Sequence, residues 1–362
     1  PRWRLRMPSK SCIAILSRCK WLKKVSSSSE FLMMAGKYAG KVGKLHLSSK
    51  ALHRFSVLGW TRALTIISRS RLRRYATWET TMTDSARKSA TISPTAHYTG
   101  QVWLRNGLSD ERLRTPQGSL LYRLLQPLMF ASSTVGGPTL QDFLLARHEL
   151  IDLRLAAAID AGNITQVIEV AAGLSPRGLR FANKYGSRIS YIEADLPGMA
   201  ARKRNLLGAT ASPHHRIITI NALADDGPDS LAALAATLNP TQGVAIVTEG
   251  LINYFDADNV TGMWRRFAGA LHDFPQGLYL SDIHLSGVNS GLVTNAFRMM
   301  LSTFVRSRVH LHFDTAQDLK QQLLSTGFTS AAVHDPHDFA AQLESCKPRW
   351  AGLVRVIEAR TG

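Results

Sequence analysis

The sequence predicts an α/β fold, doubly wound on a mostly parallel sheet of seven strands. Three observations carry this. Five short apolar runs, QVIEVAAG, ISYIEADLP, RIITINAL, GVAIVTEG and GLYLSDIHL, alternate with segments of helical period between residues 164 and 285. The first run ends in small residues, as a buried strand does on entering a tight turn. Two further runs, FTSAAVHD and GLVRVIEAR, close the chain with no regular helix between them.

Taken in order, the helical patterns SLLYRLLQPLMF and LQDFLLARHELIDLRLAAAI come first, separated by the turn-rich SSTVGGP. QVIEVAAG is the first strand, ISYIEADLP the second and RIITINAL the third, with helices between them. This is a βαβαβ unit, whose right-handed crossovers place helices on both faces of the sheet. LAALAATL and VTGMWRRFAGAL then flank GVAIVTEG, the fourth strand, and GLYLSDIHL is the fifth. The predicted organisation is a basic segment at 1–81 and one domain at 82–362. Within the domain we expect a helical cap at 98–160, an α/β core at 164–284, a helical lid at 285–326 and terminal strands at 327–362.

The net charge of +18 is local. Residues 1–81 hold 18 Lys and Arg against 2 Asp and Glu, whereas the remainder holds 26 against 24. The basic excess therefore gives no reason to expect nucleic acid at the core domain. The first segment is Arg- and Ser-rich and poor in acids, as transit peptides are, and Trp3, Trp21, Trp60 and Trp78 could stack on bases. It has no sustained apolar period, so disorder, or a segment upstream of a true start at Met82, is the expectation. Three cysteines, Cys12, Cys19 and Cys346, allow no disulfide framework and no four-thiolate zinc site. Charged residues interrupt every apolar run before the ~20 residues that a spanning helix needs. A cytoplasmic protein with no membrane association is expected.

The chemistry concentrates at strand ends. Glu169 to Gly178 reads EVAAGLSPRG, a turn of small residues that lets a ligand approach the backbone at a helix N-terminus. The G-x-G-x-x-G spacing of dinucleotide sites is absent. Glu193 and Asp195 follow Gly173 by 20 and 22 residues, where a ribose diol needs a carboxylate acceptor. Asp195, at the strand's end, is the better placed. Turn and acid together point to a nucleoside-type cofactor.

The blocks ARHELID, VIEVAAGLSPRGLRFA, YIEADLPGMAARK and VTEGLINYF resemble the leucine carboxyl methyltransferase family. The closer likeness is to its bacterial branch of O-methyltransferases linked to polyketide and other secondary metabolism, and it extends from about Tyr98 to the C-terminus. The resemblance implies the class I methyltransferase form of the Rossmann-like fold, with its last strand antiparallel, and S-adenosyl-L-methionine as cofactor. It also implies that Arg147 holds the methionine carboxylate, that Ala171 and Gly173 meet the amino-acid moiety, and that Asp195 takes the ribose. Asn221 and Ala222 fall beside the adenine and Glu249 near the amino group. The family often has Gly at the position of Ala171 and Asp at that of Asn221.

The acceptor is expected to be a small molecule, methylated on a carboxylate or a hydroxyl. A sulfonium leaves as a neutral thioether, so a carboxylate acceptor needs no base. A hydroxyl needs one, and His284, Asp282 and Tyr254 are the candidates. Tyr98, Trp103, Phe297, Met299, Met300 and Phe304 are candidates to roof an apolar pocket. His214-His215, His310-x-His312 and His334-x-x-His337 lack carboxylate or thiolate partners in a metal-binding pattern, so no metal is expected. Two other classes compete: a catalytically silent methyltransferase-like module that binds a partner, and a nicotinamide-dependent oxidoreductase.

Overall fold

The computed structural model describes residues 93–362 apart from 135, 209–211 and 288–309. The basic segment 1–81 and the lid residues Phe297, Met299, Met300 and Phe304 lie outside the described residues. Three helices precede the sheet: α1 (Ser93–Arg105), α2 (Pro116–Thr134) and α3 (Leu140–Asp160). α3 starts at a capping box, in which the Thr139 hydroxyl accepts from the Asp142 N–H while the Asp142 carboxylate accepts from the Thr139 N–H. Two otherwise unpaired donors are satisfied at once.

The α/β alternation then runs β1 (Gln166–Val170), α4 (Arg177–Tyr185), β2 (Ser190–Asp195), α5 (Pro197–Leu207) and β3 (His215–Thr219). It continues with α6 (Leu231–Ala235), β4 (Val244–Thr248), α7 (Ala257–His272) and β5 (Gly277–Ile283), and ends with α8 (Ala316–Ser325), β6 (Ser330–His334) and β7 (Arg355–Thr361). The sheet order is β3-β2-β1-β4-β5-β7-β6. β1 to β5 pair in parallel, and β7 is antiparallel to both neighbours. The seven-stranded sheet with its antiparallel last strand is the fold that the sequence predicts. Only 3-10 turns link β6 to β7.

Both faces of the sheet are covered, which is why its central strands read as unbroken apolar runs. Val167 packs with Leu150, Ile151 and Leu155 of α3 and Phe181 of α4. Its neighbours Ile168 and Val170 point the other way, into a cluster that includes Trp264 and Phe267 of α7 and, further along the sheet, Leu319 and Leu323 of α8. Each such fully buried side chain stabilises by roughly 1.5–3 kcal/mol. The strand order reverses between β1 and β4, and that reversal opens a crevice at the carboxyl ends of the strands.

Of the stretch expected to form a helical lid, residues 285–287 and 310–315 are not helical, and α8 is its described helix. Residues 310–312 lie in no strand. The His310 N–H donates to the Asn253 carbonyl at 2.8 Å, tying this segment to the loop after β4 rather than to the sheet, and the two rings stack 5.6 Å apart. Among the described residues no helix is long and apolar enough to cross a membrane.

Candidate active site

A cavity of about 320 Å³ opens at the carboxyl ends of β1 to β5, beneath α1 and α3. That is within the usual size of a small-molecule site. Arg147, Ala171, Gly173, Asp195, Asn221, Ala222, Glu249, Tyr254, Asp282 and His284, all singled out in the sequence, line it together, as do Tyr98 and Trp103.

The turn after β1 forms its floor. Ala171 has φ +55°, the one non-glycine residue with positive φ among the described residues, and Gly173 follows at +53°. A left-handed alanine costs about 1–2 kcal/mol, and such strain persists only where surrounding structure imposes it. What imposes it is the next strand. The Gly173 N–H donates to Asp195 Oδ2 at 2.7 Å, and the Leu196 N–H to Oδ1 at 2.7 Å. Asp195 is thereby fixed at the cavity edge with further lone pairs to offer. Burial raises its pKa, against the pull of these two N–H groups. After β3, the Asn221 side-chain oxygen accepts from the Leu223 N–H at 3.1 Å, closing a local turn.

Glu193, the other acid of β2, is not at the cavity. It is buried against Lys203 and His215 beneath α4, where a side chain on Gly178 would collide with it. The two acids share one face of β2, and position along the strand separates them, because residue 193 lies within the strand while residue 195 ends it.

Arg147 is buried rather than on a helix surface. Its Nε donates to Glu249 Oε1 at 3.0 Å and its Nη1 to Asp282 Oδ2 at 2.8 Å. Its Nη2 makes no hydrogen bond among the described residues and lies beside Gly250, where a Cβ would sit 3.0 Å from it. Gly250 has φ +66°, and its N–H donates to Asp282 Oδ1 at 2.6 Å. Both Asp282 oxygens are therefore engaged.

Behind these groups lies a hub that is not among the residues singled out in the sequence. Arg177, fully buried at the start of α4, donates to Asp152 Oδ1 at 2.5 Å, Glu169 Oε1 at 2.5 Å and Glu249 Oε2 at 2.6 Å. His148 Nδ1 also meets Glu249 Oε2, at 2.8 Å, under the Trp103 ring. Burial alone would raise the Glu249 pKa, but His148, Arg177 and Arg147 more than offset it and hold the carboxyl well below the usual carboxylate range. Arg177 leaves a signal in the sequence. A cation in the first turn of a helix opposes the helix dipole, so its presence there asks for carboxylates outside the helix.

His284 follows β5. Its Nδ1 lies 2.8 Å from the Leu353 carbonyl oxygen, and its ring stands edge-on to Phe143 at 5.2 Å between centroids. Burial lowers its pKa against the opposing influence of Asp282 and that carbonyl. Burial likewise raises the Tyr254 phenol.

The sequence profile described as leucine carboxyl methyltransferase matches residues 120–268. Among solved structures, the chain is similar to a DUF574 family protein from Streptomyces avermitilis, at 13% identity and TM-score 0.51, over 74% of this chain and 97% of that one. It is also similar to a Thermobifida fusca protein assigned as a methyltransferase, at 12% identity and TM-score 0.50, over 74% and 94%. These two likenesses concern the fold. A structure of PigF with SAH is similar at 15% identity and TM-score 0.37, and the chain spans about half of that protein's length, covering 50% of it.

Proposed function

We propose that this chain is an S-adenosylmethionine-dependent methyltransferase of the leucine carboxyl methyltransferase kind, whose profile matches residues 120–268, and that the cavity binds S-adenosylmethionine across the carboxyl ends of β3 to β4. The methyl group then goes to an oxygen of a small, largely apolar acceptor, of the secondary-metabolite kind that the bacterial branch suggests.

One observation carries this reading: the order of groups along the sheet edge. Asn221 and Ala222 follow β3, Asp195 ends β2, Ala171 to Gly173 follow β1, and Glu249 follows β4. At about 4.8 Å per strand this row extends roughly 14 Å. It presents, in sequence, a niche for a base, an acceptor for a diol, a close backbone approach, and a carboxylate for an ammonium. Arg147 Nη2 is the matching donor for a carboxylate. A nucleoside joined to an amino acid needs those groups in that order.

Bound there, the cofactor supplies an activated methyl group and a neutral leaving group. The chain's own part is to orient and to exclude water. Arg147 and Glu249 are held by Asp282, His148 and Arg177, so they meet the amino-acid end without having to reorganise. Tyr98, Leu140, Phe143 and Leu144 line the cavity beneath α1 and α3 and give the acceptor an apolar bed.

The test is incubation of the full chain with a metabolite extract and methyl-labelled S-adenosylmethionine, followed by mass spectrometry. Labelled O-methyl products are expected. Labelling no greater than with heat-inactivated protein would overturn the proposal.

A further inference from the structure

We infer that the acceptor group is a neutral hydroxyl on an apolar, aromatic-sized skeleton, and that His284 Nε2 takes its proton as the oxygen attacks the methyl carbon. The inference rests on the cofactor reading above and decides the chemistry that reading leaves open.

The tautomer comes first. A carbonyl oxygen can only accept, so the 2.8 Å contact of His284 Nδ1 with Leu353 places the proton of a neutral ring on Nδ1. Nε2 then carries the lone pair. It makes no hydrogen bond among the described residues, and His284 lines the cavity. The edge-on Phe143 ring and the Leu353 carbonyl together fix the plane of the imidazole. The charged groups acting on it are Asp282 at the end of β5 and Arg147 from α3, and Tyr254, from the loop after β4, lines the same cavity. With burial dominant among these influences, the ring is neutral at pH 7 and ready to accept a proton.

The other two candidate bases have other partners. Asp282 accepts from Arg147 and from the Gly250 N–H, one on each oxygen. A proton on it would weaken its pair with Arg147. The Tyr254 phenol, raised by burial, stays protonated and acts as a donor.

Charge argues against a carboxylate acceptor. Arg147 is the only Lys or Arg among the described residues lining the cavity. Two of its three nitrogens are held by Glu249 and Asp282, and the third is assigned to the cofactor. A second carboxylate at this end would face two acids with no free cation among the described lining residues, and desolvating an unpaired charge is costly. A hydroxyl enters neutral. In the transfer the acceptor O–H bond breaks and its proton passes to Nε2, an O–C bond forms, and the C–S bond breaks with its electron pair going to sulfur. The positive charge of the sulfonium reappears on the imidazolium, so charge and atoms balance.

The test uses the full chain, S-adenosylmethionine and a matched pair of probes, 2-naphthol and 2-naphthoic acid, with S-adenosylhomocysteine binding measured calorimetrically on the same preparation. Methylation of the naphthol and not of the acid is expected. His284→Gln is expected to slow transfer to 2-naphthol by ~10²–10⁴-fold, with S-adenosylhomocysteine affinity unchanged. The same variant should recover most of its rate with 1-nitro-2-naphthol, whose hydroxyl ionises without help. Methylation of the acid, turnover of neither probe, or a variant as fast as wild type on 2-naphthol would overturn the inference. If S-adenosylhomocysteine binds while one of these results is found, this inference alone fails; if it does not bind, the cofactor reading fails first. Should the variant not fold, the naphthol and naphthoic acid comparison on the wild-type chain decides by itself.

Discussion

Replacing Glu249 with Gln removes the charge that meets Arg147, Arg177 and His148 while keeping the shape of the side chain. In the wild type, Oε1 accepts from Arg147 Nε at 3.0 Å, and Oε2 lies 2.6 Å from Arg177 Nη2 and 2.8 Å from His148 Nδ1. An amide oxygen can keep one side of this arrangement, but the amide nitrogen turns a donor towards other donors. Removing one partner of a buried ion pair costs ~3–5 kcal/mol. Arg177 retains Asp152 and Glu169, and Arg147 retains Asp282, so the lower end, about 3 kcal/mol, is expected. At ~2–4 °C per kcal/mol for a domain of this size, Tm should fall by roughly 6–12 °C. The pH dependence has a definite sign. The Glu249 pKa is depressed in the folded state, so its contribution is fully present above the unfolded value of about 4.3 and is lost as pH falls towards the folded one. The gap between wild type and variant, followed by circular dichroism melts, should stay constant from about pH 7 to about pH 5 and narrow below about pH 4. A fall in Tm of less than about 2 °C, or a gap that widens on acidification, would refute the reasoning.

Three further outcomes follow from the same geometry. Ala171→Gly removes about 1–2 kcal/mol of left-handed strain and gives back ~0.5–1 kcal/mol in chain entropy, so a melt should show a small rise in Tm, whereas Ala171→Val should lower it; a fall with glycine would contradict the positive φ. Asp195→Asn sets an amide against the Gly173 and Leu196 N–H groups and weakens the diol acceptor, so S-adenosylmethionine affinity by calorimetry should drop ~10–100-fold, in line with a lost charged hydrogen bond; unchanged affinity would remove Asp195 from the site. Arg177→Lys cannot reach three carboxylates from one ammonium and should destabilise the chain at least as much as Glu249→Gln in urea titration; a wild-type midpoint would show that the hub is dispensable.

Much of this was legible in the sequence, for identifiable reasons. β1 to β5 are buried on both faces, so their apolar runs stand out and their order follows from right-handed crossovers. The β1 turn and Asp195 are visible because small residues and an acid at strand ends are local signals. The partners of Arg177 were not, because they lie 25, 8 and 72 positions away, and no periodicity records such pairings. His148 and Asp152 hid for a related reason: they lie on α3, a helix whose polar residues look solvated in sequence but are turned inward onto Arg177. Glu193 and Asp195 share one face of β2, so only their position along the strand separates them, 193 beneath α4 and 195 at the strand's end. His284 could be proposed as a base from its position, but its tautomer depends on the Leu353 carbonyl, 69 residues on.

The central claim is that the sheet edge from Asn221 to Glu249 recognises a nucleoside joined to an amino acid. Isothermal calorimetry of the full chain with S-adenosylmethionine, S-adenosylhomocysteine and NADH tests it most directly. Saturable binding of both sulfur compounds at one shared site, weakened in Asp195→Asn, and none of NADH is expected. Binding of NADH in place of the sulfur compounds, or of none of the three, would contradict it.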